Sequence, residues 1–220
     1  MSVGDSSRWQ THLVTAYEMV HSGVLRVWPE CRAAIAPNQP IAMATKRGKI
    51  VARTRLEDPI TRNLIRRLKL EPQLRGRFHI VSQFEIIDSV LDRDPDPLGY
   101  IDVAILFSVE DDEVCLALEC KRLNVNGASL AGKYVNEGMM RFVAGQYVPT
   151  VPIGGMIGYV MDGRVEKASQ SVIEQIRLKL AHLCCTETSI LFLSEPDHFS
   201  TSHVRATINI ELRHQLLAAS

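Results

Sequence analysis

The sequence predicts a mixed α/β fold: a central mixed β-sheet flanked by helices, with an N-terminal helical extension. Three observations carry that expectation. Strand-like apolar runs recur at FHIVSQFEII (78–87), YIDVAILFSV (100–109) and VCLALECK (114–121), separated by turn-forming residues. Segments with the 3.6-residue period of an amphipathic helix lie on either side of them. The 220 residues, 46% of them hydrophobic, suffice for one substantial core without covalent staples.

Residues 5–22 place Trp9, Leu13, Ala16, Tyr17 and Val20 at helical spacing behind the capping candidates Asp5 to Ser7, which predicts an amphipathic helix. Pro29, Pro37, Pro40 and Gly48 then interrupt any period and predict an extended connection over 29–48. Residues 1–50 are accordingly expected to form a helix and connection, and residues 51–220 the domain proper. In LEDPITRNLIRRLKL, Asp58 before Pro59 signals a helix start, and Ile60, Leu64, Ile65 and Leu68 form its apolar stripe. Arg62, Arg66 and Lys69 share the opposite, solvent-facing side.

The three strand segments follow. The polar loop DSVLDRDPDPLG (88–99) joins the first two, and the acidic turn EDDE (110–113) folds the last two into an antiparallel hairpin. Residues 126–147 predict a helix weakened by glycines, and IGGMIGYVM (153–161) a strand. A stronger helix is expected over 164–184, a strand over 188–194, and a final strand over 204–218, with or without a short terminal helix. The chain contains no internal repeat and no low-complexity tract.

Five cysteines, an odd number without CxxC spacing, argue against a disulfide framework or a structural zinc site and for free cytosolic thiols. No apolar run reaches the roughly 20 residues that cross a bilayer, and the N-terminus lacks the layout of a signal peptide. The expectation is a soluble, cytoplasmic protein with no membrane partner.

The formal net charge is zero, yet the charges are separated along the chain. Lys46 to Arg77 holds eleven Lys and Arg against Glu57, Asp58 and Glu71, a net of about plus eight. Glu85 to Glu119 holds eleven acidic residues against Arg93, about minus ten. A phosphate-attracting surface beside a cation-attracting one suits a metal-dependent enzyme acting on a polyanion. Two solvated faces that neutralise each other would give the same pattern.

Within the last hairpin, Glu119 and Lys121 are two residues apart and share a face with Ala117 and Cys115, while Leu116, Leu118 and Cys120 point into the packed layer. Asp102, on the adjacent strand, has only apolar neighbours in sequence. Strand pairing can bring it beside Glu119. A buried carboxylate must be neutralised, hydrogen-bonded or bound to a cation. Two carboxylates and one ammonium leave an excess negative charge that suits a hard divalent ion such as Mg2+.

The pattern Asp102, sixteen residues, then Glu119-Cys120-Lys121 resembles the PD-(D/E)xK nucleases, the restriction-endonuclease-like superfamily. The core of that superfamily is a helix, three antiparallel strands, a helix and a fourth strand. The likeness spans roughly residues 56–161, with Ile101 standing where the motif often has proline. The resemblance implies a Mg2+- or Mn2+-dependent nuclease acting on DNA, an endonuclease of the kind that serves defence against foreign DNA, working as a homodimer or with a partner protein in a defence complex.

It further implies roles for individual residues. Asp102, Glu119 and the carbonyl of Cys120 would hold the metal, which polarises the phosphate and lowers the pKa of a bound water. Lys121 would orient or help deprotonate that water and stabilise the developing charge. Glu57 matches an acidic residue of the family's first core helix, and would face the sheet if that helix starts before Pro59. Gln146-Tyr147 lies where some relatives carry a glutamine and a tyrosine, though at a different spacing.

Further contacts to nucleic acid are expected from Arg62, Arg66 and Lys69 and, on the second core helix, from Lys133, Tyr134 and Arg141. The alternative for that helix is an internal Glu137–Arg141 ion pair. GGMIGYV has no GxxxxGK[ST] pattern, so nucleotide-triphosphate binding is rejected. The scattered histidines argue against zinc, and His203 and Arg205 are left as candidates for a substrate or subunit contact. Two rivals stand beside the DNA nuclease: a non-catalytic nucleic-acid-binding or scaffold subunit with the same fold, and the same chemistry on RNA or branched DNA.

Overall fold

A computed structural model describes residues 3–35, 43–46, 49–52, 57–86, 99–107, 115–124, 128–147, 151–193, 197–205 and 208–219. The fold is mixed α/β, a seven-stranded sheet with helices on both faces. Of the expected loop 88–99, residues 88–98 lie outside the described residues, as does the turn 110–113, while Gly99 already belongs to a strand.

The first helix, α1 (Val3–Ala34), is longer than its period predicts and runs through Pro29. Residues 29–34 of the expected extended connection are therefore helical, and 36–42 and 47–48 lie outside the described residues. Val24, Val27, Trp28 and Cys31 continue the buried stripe of Leu13, Tyr17 and Val20 past the proline, and the Trp28 indole donates to the Ala218 carbonyl at 2.8 Å. This burial outweighs the hydrogen bond that Pro29 removes. Strands β1 (Met43–Lys46) and β2 (Lys49–Ala52) then form a small antiparallel sheet that the periodicity did not reveal.

Helix α2 (Glu57–Leu68) has Glu57 and Asp58 in its first turn and Arg66 and Arg67 in its last, each complementing the helix dipole. It buries the expected stripe of Ile60, Leu64, Ile65 and Leu68. Strands β3 (His79–Ile86), β4 (Gly99–Leu106) and β5 (Cys115–Leu123) are antiparallel neighbours. The helix expected next is present in three parts: α3 (Ala128–Lys133), a π-helical stretch (Tyr134–Met139) and α4 (Met140–Val143).

Strand β6 (Ile153–Val160) joins β5 in parallel, and α5 (Val165–Arg177) follows and ends before the expected residue 184. Strands β7 (Ile190–Phe192), β8 (His198–His203) and β9 (Ile210–Ala218) complete the sheet, whose order is β3-β4-β5-β6-β9-β8-β7. Strand β8 was not anticipated, and β9 stays extended to Ala218 without a terminal helix.

Two cores lie on opposite faces of this sheet. One packs α1 and α2 against Val103, Ile105, Leu116, Leu118, Ile157 and Leu217. The other packs the segmented helix and α5 against Ala104, Leu106, Ala117, Met156, Leu212 and Leu216. Helix α1 thus shares its core with the sheet instead of standing apart as an extension. All five cysteines are free thiols, four of them buried. Among the described residues no helix is long and apolar enough to cross a membrane.

Candidate active site

The site forms where two strands part. The β4–β5 ladder runs from Leu106↔Cys115 to Val103↔Leu118 and stops, although the same register would next set Asp102 opposite Glu119. On the other side of β4, pairing with β3 lapses at the same level, between Ser82↔Val103 and Phe84↔Ile101. Gln83, the residue skipped, has a left-handed backbone with φ 51°. Face alternation slips here too, because Ile101 packs in the same layer as Ala104 and Leu106. Asp102 therefore sits at a local break in the sheet, the kind of strained position that cores avoid and sites use.

Beyond Leu118 the edge of β5 has lost its partner strand, and two carboxylates take the strand's place. The Cys120 amide donates to Asp102 Oδ2 at 2.8 Å, and the Arg122 amide donates to Glu57 Oε2 at 2.9 Å. These two donors lie two residues apart on one edge, as strand geometry requires. Glu57 reaches them because α2 begins at Glu57, before Pro59. The N–H and C=O of a strand residue point to the same edge, so the carbonyl of Cys120 also faces Asp102.

Glu119 projects to the opposite core and is 0% exposed. Lys121 Nζ donates to Glu119 Oε1 at 2.5 Å and stands 3.8 Å from Glu57 Oε1, so one ammonium links the carboxylates of helix and strand. Arg141 Nη1 is 3.3 Å from Glu119 Oε1. The Tyr147 hydroxyl lies 2.7 Å from both Glu119 Oε2 and the Tyr100 carbonyl, shares its single proton between them, and accepts from Arg141. Gly138 passes over this cluster: a Cβ there would come 3.6 Å from the Cγ atoms of Glu119 and Lys121.

Three carboxylates thus face two cations in a desolvated setting. Burial, then the Asp102 charge, pushes Glu119 up to about 7 despite Lys121 and Arg141. Burial likewise raises Asp102 and Glu57, against the pull of Lys121 and of the amides they accept from. Burial pulls the Lys121 ammonium down, but Glu119 and Asp102 outweigh it and the net shift is upward. Burial is the main reason each carboxyl is more easily protonated than usual, and the three carboxylates outnumber the two cations, a surplus of negative charge that suits a hard divalent cation. No three His, Cys, Asp or Glu side chains are already arranged as a metal cage among the described residues. The Cys120 thiol is buried and its pKa is raised by burial, so the residue offers a backbone oxygen and not a thiolate.

The other expected residues separate into three groups. Arg62 and Arg66 on α2, and Lys69 just past its end, are exposed beside the site. Lys133 is exposed on the segmented helix, but Tyr134 is 0% exposed and its hydroxyl pairs with His214 Nδ1 at 3.0 Å, so it cannot contact a nucleic acid. The π-helical stretch adds a residue to the turn and breaks the spacing that would have aligned Lys133, Tyr134, Glu137 and Arg141. Arg141 accordingly pairs with Glu119 and not with Glu137. Gln146 points to solvent, while its neighbour Tyr147 is the residue that enters the site. His203 is buried against the Leu183 carbonyl, which removes it as a surface contact, and Arg205 packs beside the Gly145 turn.

Compared with protein-family models, with curated proteins and with solved structures, the chain shows no significant match in any of the three.

Proposed function

We propose that this protein is a Mg2+-dependent nuclease that hydrolyses phosphodiester bonds of DNA, an endonuclease on a restriction-endonuclease-like core. The observation that carries the reading is the meeting of Asp102, Glu119, Lys121 and Glu57, from three separate elements, at the point where β4 leaves β5. The order of α2, three antiparallel strands, a segmented helix and β6 supports it, since the PD-(D/E)xK nucleases share that order.

Asp102, Glu119, Glu57 and the Cys120 carbonyl would hold the ion, and their hard oxygens and excess negative charge fit Mg2+ or Mn2+. Bound there, the ion would polarise the phosphate and make a water nucleophilic at neutral pH. The rest of the work falls to the chain. Lys121, kept protonated by its carboxylate neighbours, donates to the attacking water or to a phosphate oxygen. Arg141 neutralises charge beside Glu119, and Tyr147 fixes the rotamer of that carboxylate from behind. Tyr147 stays protonated, because burial and Glu119 both raise its pKa.

Purified protein should cleave DNA with Mg2+ or Mn2+ and not with EDTA. Asp102→Ala, Glu119→Ala and Lys121→Ala should each lower the rate by about 100-fold or more while leaving the circular dichroism spectrum unchanged. Full activity in Glu119→Ala would overturn the assignment. A second reading, a non-catalytic nucleic-acid-binding subunit of a larger assembly, is favoured by one observation: each carboxylate already has a protein donor. It predicts salt-dependent binding with no cleavage under any metal. RNA and branched DNA entered as competitors in the same assay identify the preferred substrate.

A further inference from the structure

Two cavities lie end to end along α2. The first, about 280 Å3, opens between Glu57, Asp58 and Thr61 of α2, Ser82 and Gln83 of β3, and Asp102. The second, about 560 Å3, begins at Arg62, Ile65 and Ser82, which line both, and continues past Arg66, Lys69 and Leu70. They make one trough, acidic where it meets the candidate metal ligands and basic at its far end.

Among the described residues the basic end is not held in internal ion pairs. Arg67, one step round the helix, is tied to Asn63 and Glu30. Arg62, Arg66 and Lys69 are exposed and enter no ion pair among the described residues. They repeat every three or four residues, so they form a row along one helix face with an axial step of about 4.5 to 6 Å. That step is of the order of the distance between successive phosphates of an extended strand. Leu70, 64% exposed at the end of the row, offers an apolar surface to a sugar or base.

Cavities of this size receive a nucleotide-sized ligand. A single row of cations along one helix follows the phosphates of one strand at a time.

We propose that this trough binds one unpaired polynucleotide strand, with the phosphates on one side of the scissile bond running past Arg62, Arg66 and Lys69. The preferred substrate class is therefore single-stranded nucleic acid or an unpaired end. The proposal rests on the nuclease reading for the role of the acidic end. The basic end stands on the trough itself.

The test measures binding by fluorescence anisotropy in EDTA, with a labelled single-stranded oligonucleotide and a blunt hairpin duplex of the same sequence, across a series of salt concentrations. Wild type should bind the single strand more tightly than the duplex. The double variant Arg66→Glu/Lys69→Glu should bind the single strand about tenfold or more weakly, with a salt slope lowered by about 1.4, the value for two lost single-strand phosphate contacts. Arg66→Ala/Lys69→Ala should give the same slope change, and unchanged melting would separate the effect from unfolding. Equal affinity for both ligands, no binding by wild type, or full affinity in the double variant overturns the proposal. If wild type cleaves and the double variant binds and cleaves as well, the trough falls and the nuclease reading stands. If wild type binds single strands through these residues yet never cleaves with Mg2+ or Mn2+, the nuclease reading falls and the trough stands.

Discussion

Individual residues show where local pattern informs and where it misleads. Asp102, Glu119 and Lys121 stand out in the sequence because charge in an apolar strand demands a reason. Tyr147 is marked only by the positional likeness of Gln146-Tyr147 to the family, since a buried tyrosine in a helix-to-strand turn otherwise looks like ordinary core, and its 2.7 Å contact with Glu119 is what gives it a place in the site. Histidines mislead in the other direction. His203 and His214 belong to one buried chain: Tyr134 donates to His214 Nδ1, His214 Nε2 donates to Thr201, Thr201 donates to His203 Nε2, and His203 Nδ1 donates to the Leu183 carbonyl. The Leu183 carbonyl can only accept, so with both rings neutral this direction of donation satisfies every member. Burial lowers the pKa of both, that of His214 furthest. A histidine with a lowered folded pKa stabilises the fold above its unfolded pKa of about 6.5 and loses that contribution as pH falls below it. The stability advantage of wild type over His214→Gln, measured by urea unfolding, should therefore shrink by about 1.4 kcal/mol per pH unit below 6.5. An advantage that is the same at pH 5.5 and 7.5 would show that His214 is not held neutral.

Elements with a strong period are legible, and those shaped by neighbours are not. The stripe of α2 and the fully buried run of β6 follow directly from sequence. The π-helical stretch over Glu119 and the left-handed Gln83 opposite Asp102 carry no local signature, because both are imposed by what packs against them. The glycines of β6 lie between these cases. A Cβ on Gly155 would meet Leu118 Cδ2 at 2.2 Å and Tyr17 Cε2 at 3.2 Å, so this glycine lets α1 lie close to the sheet. Gly155→Ala should lower unfolding stability by about 1–3 kcal/mol, read from urea midpoints at unchanged m-value. A cost below about 0.5 kcal/mol would mean that α1 has slack to withdraw.

The whole molecule is organised by the sheet's two covered faces, and the site needs both. Glu57 arrives from the α1–α2 side, while Arg141 and Tyr147 arrive from the side of the segmented helix. Helix α1 completes the first layer, so deleting residues 1–34 would uncover Leu118, Ile153, Ile157 and Leu217. The truncated protein should aggregate, or bind a hydrophobic dye with loss of near-ultraviolet circular dichroism. A soluble, cooperatively unfolding truncation would show instead that α1 is a separable extension. The sequence by itself determined the α/β class, the main strands, the stripe of α2, and the carboxylates and ammonium that needed explaining, because hydrophobic period and misplaced charge are local properties. Only the tertiary structure decided that β4 leaves β5 at Asp102, that Glu57 and Asp102 cap the freed amides, and that Tyr147 and not Tyr134 enters the site. Those outcomes depend on register and on packing between distant segments, which no single stretch of sequence contains.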